Sequence, residues 1–136
     1  MTRYTIKPAQ EDAHELVHSG LRSYNRRFVS DAADLSLVVE DEAGNMIGGC
    51  DAFRLGDLAI LDALWVAEPY RKNGLGSQML RQLEQEASHQ GATHLELNTF
   101  EFQAPGFYEK MGYHCFGTIA SAIGNYCHYF YIKNLT

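Results

Sequence analysis

The stretch richest in chemical possibility is LDALWVAEPYRKNGLGSQML, residues 61–80. An apolar run ends there at Val66, a turn containing Pro69 follows, and Gly74 and Gly76 stand where a helical pattern begins. Glycines lack Cβ and let backbone N–H groups approach an anion closely, while a helix N-terminus adds unpaired donors and the positive end of the macrodipole. A phosphate or pyrophosphate is the natural guest, and Arg71 and Lys72 add charge at the same rim. Without an anion, the same residues would simply make a tight strand-to-helix connection. Two familiar signatures fail. A P-loop needs Gly-Lys followed by Ser or Thr, and the chain has no Gly-Lys pair. A dinucleotide loop needs GxGxxG after a first strand, whereas Met79 holds the third glycine's place and the loop lies mid-chain.

What is left is Arg71-Lys72-Asn73-Gly74-Leu75-Gly76, which resembles the R/Q-x-x-G-x-G/A loop of the GNAT superfamily of acyl-CoA-dependent acetyltransferases. Leu64 to Tyr70, LWVAEPY, looks like the strand end and turn that precede that loop. Phe107 to Tyr113, FYEKMGY, resembles the second hallmark, FYEKxGF, at the right distance. The likeness is specific from about Leu58 to Phe116 and looser over the first 35 residues and the tail, where the superfamily varies to choose substrates. It implies one acetyltransferase domain over residues 1–136, with an α/β fold whose mixed, mostly antiparallel sheet is flanked by helices. Two parallel central strands, here ending at Val66 and Asn98, would splay apart and admit acetyl-CoA as acyl donor. Backbone groups of Leu64 and Val66 would bond the pantetheine arm as though it were an added strand. Amides of Arg71, Lys72, Asn73, Gly74, Leu75 and Gly76, with Ser77 in the first helical turn, would hold the pyrophosphate. One position departs: the superfamily often has an asparagine where this chain has Glu101, and a carboxylate cannot donate as an amide does. The surrounding TFEFQAPGFYEK, residues 99–110, is similar instead to a subset of these enzymes reading TFxFQAPGFYEK.

Acetyl transfer from a thioester to an amine needs a deprotonated amine, stabilisation of an oxyanion and a proton for the departing thiolate. An alkylammonium of pKa near 10.4 is neutral only to about one part in a few thousand at pH 7, so something must take its proton. The resemblance implies Asp62, four residues before Val66, as base or amine-orienting charge, with Glu40, Asp51, Asp57 and Glu101 as rivals. It implies Tyr108 as general acid, since a phenol of pKa about 10 can protonate a thiolate whose thiol titrates near 8.5. The N–H of Val66 would face the oxyanion. The expected activity is direct N-acetylation of a primary amine on a small molecule or protein. The alternative is a non-catalytic CoA-binding regulatory or interaction module on the same fold.

The remaining reactive residues point to nothing stronger. His14 and His18 stand four apart on one helical face, but no HExxH pattern or third ligand accompanies them, so no metal is expected. His128, in the aromatic tail NYCHYFY, could line the acceptor pocket or simply pack in a strand. Cys50, Cys115 and Cys127 form no CxxC pair and read as small buried hydrophobes of a reducing, cytoplasmic environment; no apolar leader opens the chain.

The elements that must position these residues follow from periodicity. Tyr4–Lys7 reads as a first strand closed by Pro8, Ala9–Arg22 as a helix with Ala13, Leu16, Val17 and Leu21 at helical spacing, and Tyr24–Val29 as a second short helix. Leu35–Glu40, Met46–Leu55 and Leu58–Val66 predict an antiparallel meander, with a Gly44-Asn45 turn. A helix with Leu75, Met79, Leu80, Leu83 and Ala87 on one face then runs to Gly91. A strand over Thr93–Asn98, a short helix over Ala104–Met111 and strands over Tyr113–Ile119 and Cys127–Ile132 complete the chain. The whole is 136 residues, enough for one core. Its apolar runs are too short to span a membrane. Seventeen acidic against eleven basic residues give a net charge of -6, without the basic cluster that nucleic-acid binding needs. The surplus suits a cationic partner such as an amine. A homodimer through the last strands is implied by family habit alone.

Overall fold

Ala13, Leu16, Val17 and Leu21 recur at helical spacing, and the chain forms helix α1 over Ala13–Asn25. The structure, a computed structural model, describes residues 3–136. It divides into two units, one ending at Asp31 and the other running from Ala32 to Thr136. Within the first unit, the helix starts later and runs further than its sequence pattern predicts. Ala13 N–H donates to Gln10 O at 3.0 Å, so a turn precedes it. Gly20 inside it costs about 1 kcal/mol relative to alanine, too little to break it. The predicted second helix at Tyr24–Val29 is replaced by turns, because the Asn25 carbonyl accepts from both Phe28 and Val29 N–H at 2.9 Å. The predicted strand at Tyr4–Lys7 does not form; residues 3–10 have no regular secondary structure. A run of four residues closed by proline offers too short a ladder to offset the cost of ordering it.

The second unit runs β1 (Ala33–Asp34), β2 (Leu37–Glu40), β3 (Met46–Leu55), β4 (Leu58–Val66), a 3-10 turn at Glu68–Tyr70, α2 (Leu75–His89), β5 (His94–Phe100), α3 (Pro105–Lys110), β6 (His114–Ile123) and β7 (Tyr126–Asn134). These strands make one seven-stranded sheet in the order β1-β3-β4-β5-β7-β6, with β2 also paired to β3. Every pairing is antiparallel except β4 with β5. The β2–β3 hairpin is the predicted one. Its turn is organised by Asp41, whose Oδ1 accepts the Ala43 and Asn45 N–H groups at 3.0 and 2.8 Å, with Gly44 at φ +85°. Among the described residues no helix is long and apolar enough to cross a membrane.

The core lies between α2 and one face of the sheet. Met79, Leu80, Leu83 and Ala87 of α2 pack with Ala59 and Leu61 of β4, and with Leu95 and Leu97 of β5. Cys50, Tyr108, Tyr113 and Tyr131 complete the cluster. A polar network then pins α3 to its neighbours. Glu84 of α2 accepts from the Tyr113 hydroxyl at 2.6 Å and from Lys133 Nζ at 3.0 and 3.1 Å. Lys133 also donates to Met111 O at 2.8 Å, and the Tyr131 hydroxyl donates to Glu109 at 2.8 Å. Burial and the facing carboxylates push both tyrosine hydroxyls well above the usual phenol range. They therefore stay protonated donors, and the short helix carrying Tyr108 is fixed at its C-terminal end.

Candidate active site

The parallel register of β4 and β5 runs from Leu58↔His94 to Leu61↔Leu97 and stops, although β4 continues to Val66 and β5 to Phe100. The separation starts at a bulge. On the other edge of β4, Leu61 faces Ala52 and Ala63 faces Asp51, so Asp62 is the extra residue. A bulge bends its strand and increases local twist, which here turns β4 away from β5. Between the diverging strands lies a cavity of about 580 Å³. Asp62, Leu64 and Val66 line one side, Asn98 and Phe100 the other, and Tyr108, Arg71 and Gln103 also contribute.

Backbone direction follows from one bond. Ala67 N–H donates to Ile47 O at 2.8 Å, toward β3, so by strand alternation the polar groups of Leu64 and Val66 face the gap. The Val66 carbonyl is occupied by Arg71, whose Nε donates to it at 2.8 Å, which ties the glycine loop to the strand end. Beyond Arg71 the loop takes two left-handed residues, Lys72 at φ 66° and Gly74 at φ 80°. For a lysine this conformation costs roughly 1 to 2 kcal/mol. Gly74 is the N-cap of α2 and gives it no side-chain cap. The first intrahelical bond is Gln78 N–H to Gly74 O at 3.0 Å, so the amides of Leu75, Gly76 and Ser77 open the helix without intrahelical acceptors. A Cβ on Gly76 would meet the Phe107 ring at 3.5 Å, an ordinary contact, whereas a bulky side chain there would run into Phe107 and Leu64.

Tyr108 is 7% exposed, and the exposed remainder opens on the cavity. Among the described residues nothing hydrogen-bonds its hydroxyl. Burial, and then the neighbouring Cys50, push its pKa up to about 12, so it is a protonated donor at any working pH. Of the carboxylates that rivalled one another in the sequence, only Asp62 lines the cavity. Asp51 Oδ1 accepts the Ser36 hydroxyl at 3.0 Å, Asp57 lies at the start of β4, away from the gap, and Glu40 lies on β2. Glu101 is engaged elsewhere: its N–H donates to Cys127 O and its Oε1 accepts the Cys127 N–H, both at 2.9 Å. The carboxylate that breaks the family pattern thus closes the turn after β5 against β7. Gln103 does related work, its Oε1 accepting the Phe100 N–H at 2.7 Å and the Thr99 hydroxyl at 3.1 Å, where the β5 ladder ends.

The structure therefore brings Asp62, Leu64, Val66, Arg71 and Tyr108 around one cavity, and sets Lys72, Asn73, Gly74, Leu75, Gly76 and Ser77 in the loop and first turn beside it. Lys72 and Asn73 are exposed and do not line the cavity. Asn98, expected only as a strand end, joins the lining, as do Trp65, Phe100, Phe102 and Gln103, none of which had a role assigned from sequence. Only the likeness of residues 99–110 to one subset of motifs could have flagged the last three. Two cysteines correct their sequence reading. Cys50 is buried, but Cys127 is only half-buried and Cys115 is exposed, because β6 is the edge strand of the sheet and most of its residues face solvent. Among the described residues no group of three or more His, Cys, Asp or Glu side chains could hold a metal ion.

Comparison with known proteins points one way. The family described as Acetyltransferase (GNAT) family matches residues 3–113. Blasticidin-S acetyltransferase of Streptomyces morookaense is 32% identical over 110 residues, covering 78% of each chain. A crystal structure of an acetyltransferase from Bacillus cereus ATCC 14579 is 29% identical and superposes with a TM-score of 0.80 over 96% of this chain and 97% of that one. An aminoglycoside 6'-N-acetyltransferase solved with coenzyme A shares the fold, with 21% identity and a TM-score of 0.65 over 74% of this chain and 72% of its own.

Proposed function

The chain belongs to the GNAT family of acetyltransferases, and from that premise we propose that it moves the acetyl group of acetyl-CoA directly to the primary amine of a small molecule. The observation that carries the reading is the separation of β4 from β5 beyond Leu61 and Leu97, which opens a cavity reached by both Asp62 and Tyr108. The residues present suit the donor. Backbone groups of Leu64 face the gap, where an extended pantetheine arm could pair with them as a strand would; at Val66 the carbonyl is already held by Arg71, which leaves its N–H free for the acetyl group. The uncapped amides of Leu75, Gly76 and Ser77, beside Arg71, Lys72, Asn73 and Gly74, are a fitting cradle for its pyrophosphate.

Acetyl-CoA supplies the activated thioester. Asp62 takes the ammonium proton, directly or through a water, and holds the amine toward the gap. The Val66 N–H donates to the negative charge developing on the acetyl oxygen. Tyr108 gives its proton to the leaving thiolate. A phenol at about 12 is a weak acid for this task, but at working pH it enters each cycle protonated. A small acceptor is favoured by the size of the cavity, about 580 Å³, and by the relative named for blasticidin-S. Family habit and the exposed Phe116 and Ile119 on the edge strand β6 support a homodimer, to be read by light scattering.

Isothermal titration with acetyl-CoA, followed by CoA release against a panel of amines, tests the proposal. Stoichiometric binding and turnover, both abolished by Gly76→Trp, are expected. Absence of acetyl-CoA binding up to about 1 mM, an affinity of only about 4 kcal/mol, would overturn it.

A further inference from the structure

Past the end of β5, three aromatic side chains form a stack that a fourth meets edge-on. Phe100 lies on His128 with centroids 4.3 Å apart and planes at 23°, and on Phe102 with centroids 5.4 Å apart and planes at 1°. His128 is fixed in turn by its Nε2, 3.1 Å from Asn98 Oδ1. Tyr126 meets Phe102 edge-on at 5.2 Å. The stack is ordered but not covered: Phe102 is 53% and Tyr126 50% exposed. Phe100 and Phe102 line the cavity together with Trp65 on β4, itself 48% exposed.

Half-exposed rings held rigidly around an opening offer flat, low-entropy contact area to another flat group. Charge narrows the choice further. Among the described residues Asp62 is the one carboxylate in the lining, and the one cation there, Arg71, already donates to Val66 O. An ammonium is thus attracted both by Asp62 and by the ring faces. Aliphatic polyamines would use the charge but leave the rings unfilled.

We propose that the acceptor carries its amine on a flat, unsaturated ring system, the ring packing on Phe102, the half-exposed end of the stack, in the cavity that Trp65 also lines, with the ammonium turned toward Asp62. This rests on the reading of the cavity as an acetyltransferase acceptor site.

Trp65 is the only tryptophan in the chain, so its fluorescence reports the site without a label. With CoA present at pH 7, 2-phenylethylamine, 2-cyclohexylethylamine and 2-phenylethanol are titrated in turn. The aromatic amine is expected to bind about fivefold or more tighter than its saturated analogue and than the uncharged alcohol. Phe102→Leu, at a half-exposed position that leaves folding intact, should remove the preference over the saturated ring. Asp62→Asn should remove the preference over the alcohol. Equal affinities for the two amines, or no response to any of the three up to about 10 mM, would overturn the proposal. Acetyl-CoA binding measured on the same samples separates the two levels. If it is retained while the ring preference is missing, only the acceptor class fails; if it is lost, the acetyltransferase reading of the site fails.

Discussion

Arg71 Nε donates to the Val66 carbonyl at 2.8 Å, joining the glycine loop to the end of β4 beside the cavity. One side chain thereby sets the distance between the two parts proposed to hold the donor. Replacing Arg71 by Ala frees the loop and removes a positive charge from the rim. The expected result is a rise of about tenfold in KM for acetyl-CoA, equivalent to about 1.4 kcal/mol, with kcat reduced less. Steady-state kinetics at varied acetyl-CoA read the split; unchanged KM would detach Arg71 from the donor site.

Removing the Tyr108 hydroxyl with Tyr108→Phe should lower kcat by roughly tenfold or more, at or below the low end for one general acid. The pH dependence has a definite sign. A phenol raised to about 12 stays protonated below that pH, so activity should climb as the amine loses its proton and then level off, with no alkaline fall assignable to Tyr108 below about pH 11. A kcat unaltered in Tyr108→Phe, with chemistry rate-limiting, would remove the residue from proton transfer.

Asp62 is the bulged residue of β4, and among the described residues its carboxylate is the only one at the cavity wall. Asp62→Asn should lose activity at neutral pH and regain part of it near pH 10, where the free amine no longer needs a base. A pH-independent defect would mean that Asp62 orients the acceptor without taking its proton.

Glu101 should behave as a structural residue. Its exposed pairing with Cys127 contributes on the order of 1 kcal/mol, so Glu101→Ala is expected to lower Tm by about 3 to 5 °C while leaving KM for acetyl-CoA unchanged. Thermal melts and kinetics on one sample decide it.

A similar test probes the frame that holds α3. Glu84→Ala leaves the Tyr113 hydroxyl and Lys133 without their common acceptor and should destabilise the fold by about 1 to 3 kcal/mol, measured by denaturant titration.

How much of this was legible beforehand depends on the range of the interaction. The apolar face of α2, the β2–β3 hairpin and the two strands meeting at the gap are written in local periodicity, and the glycine loop in a motif whose spacing is itself a geometry. The missing strand at Tyr4–Lys7 and the longer reach of α1 were not legible. A strand exists only with a partner, and a helix end depends on turn bonds that leave little trace in composition. The site's less visible half is long-range as well. Nothing near Asp62 announces a bulge; it arises from register against β3. Glu101 looked like a defect in a motif because its partner, Cys127, lies in another strand. The aromatic stack joins Phe100 and Phe102 to Tyr126 and His128 only because β5 and β7 pair.

The bare N-terminus of α2 has a consequence beyond catalysis. Gly74 supplies no cap, so the opening turn of the helix that builds the core is left unfinished by the chain itself. At the site proposed for it, the donor's pyrophosphate would complete that turn, and the donor would then be a folding partner as well as a reagent. Saturation at about one hundred times Kd adds about 2.7 kcal/mol to stability. The lifetime of the protein against proteolysis would then follow the supply of acetyl-CoA, and starvation for that metabolite would thin the enzyme population as well as idle it.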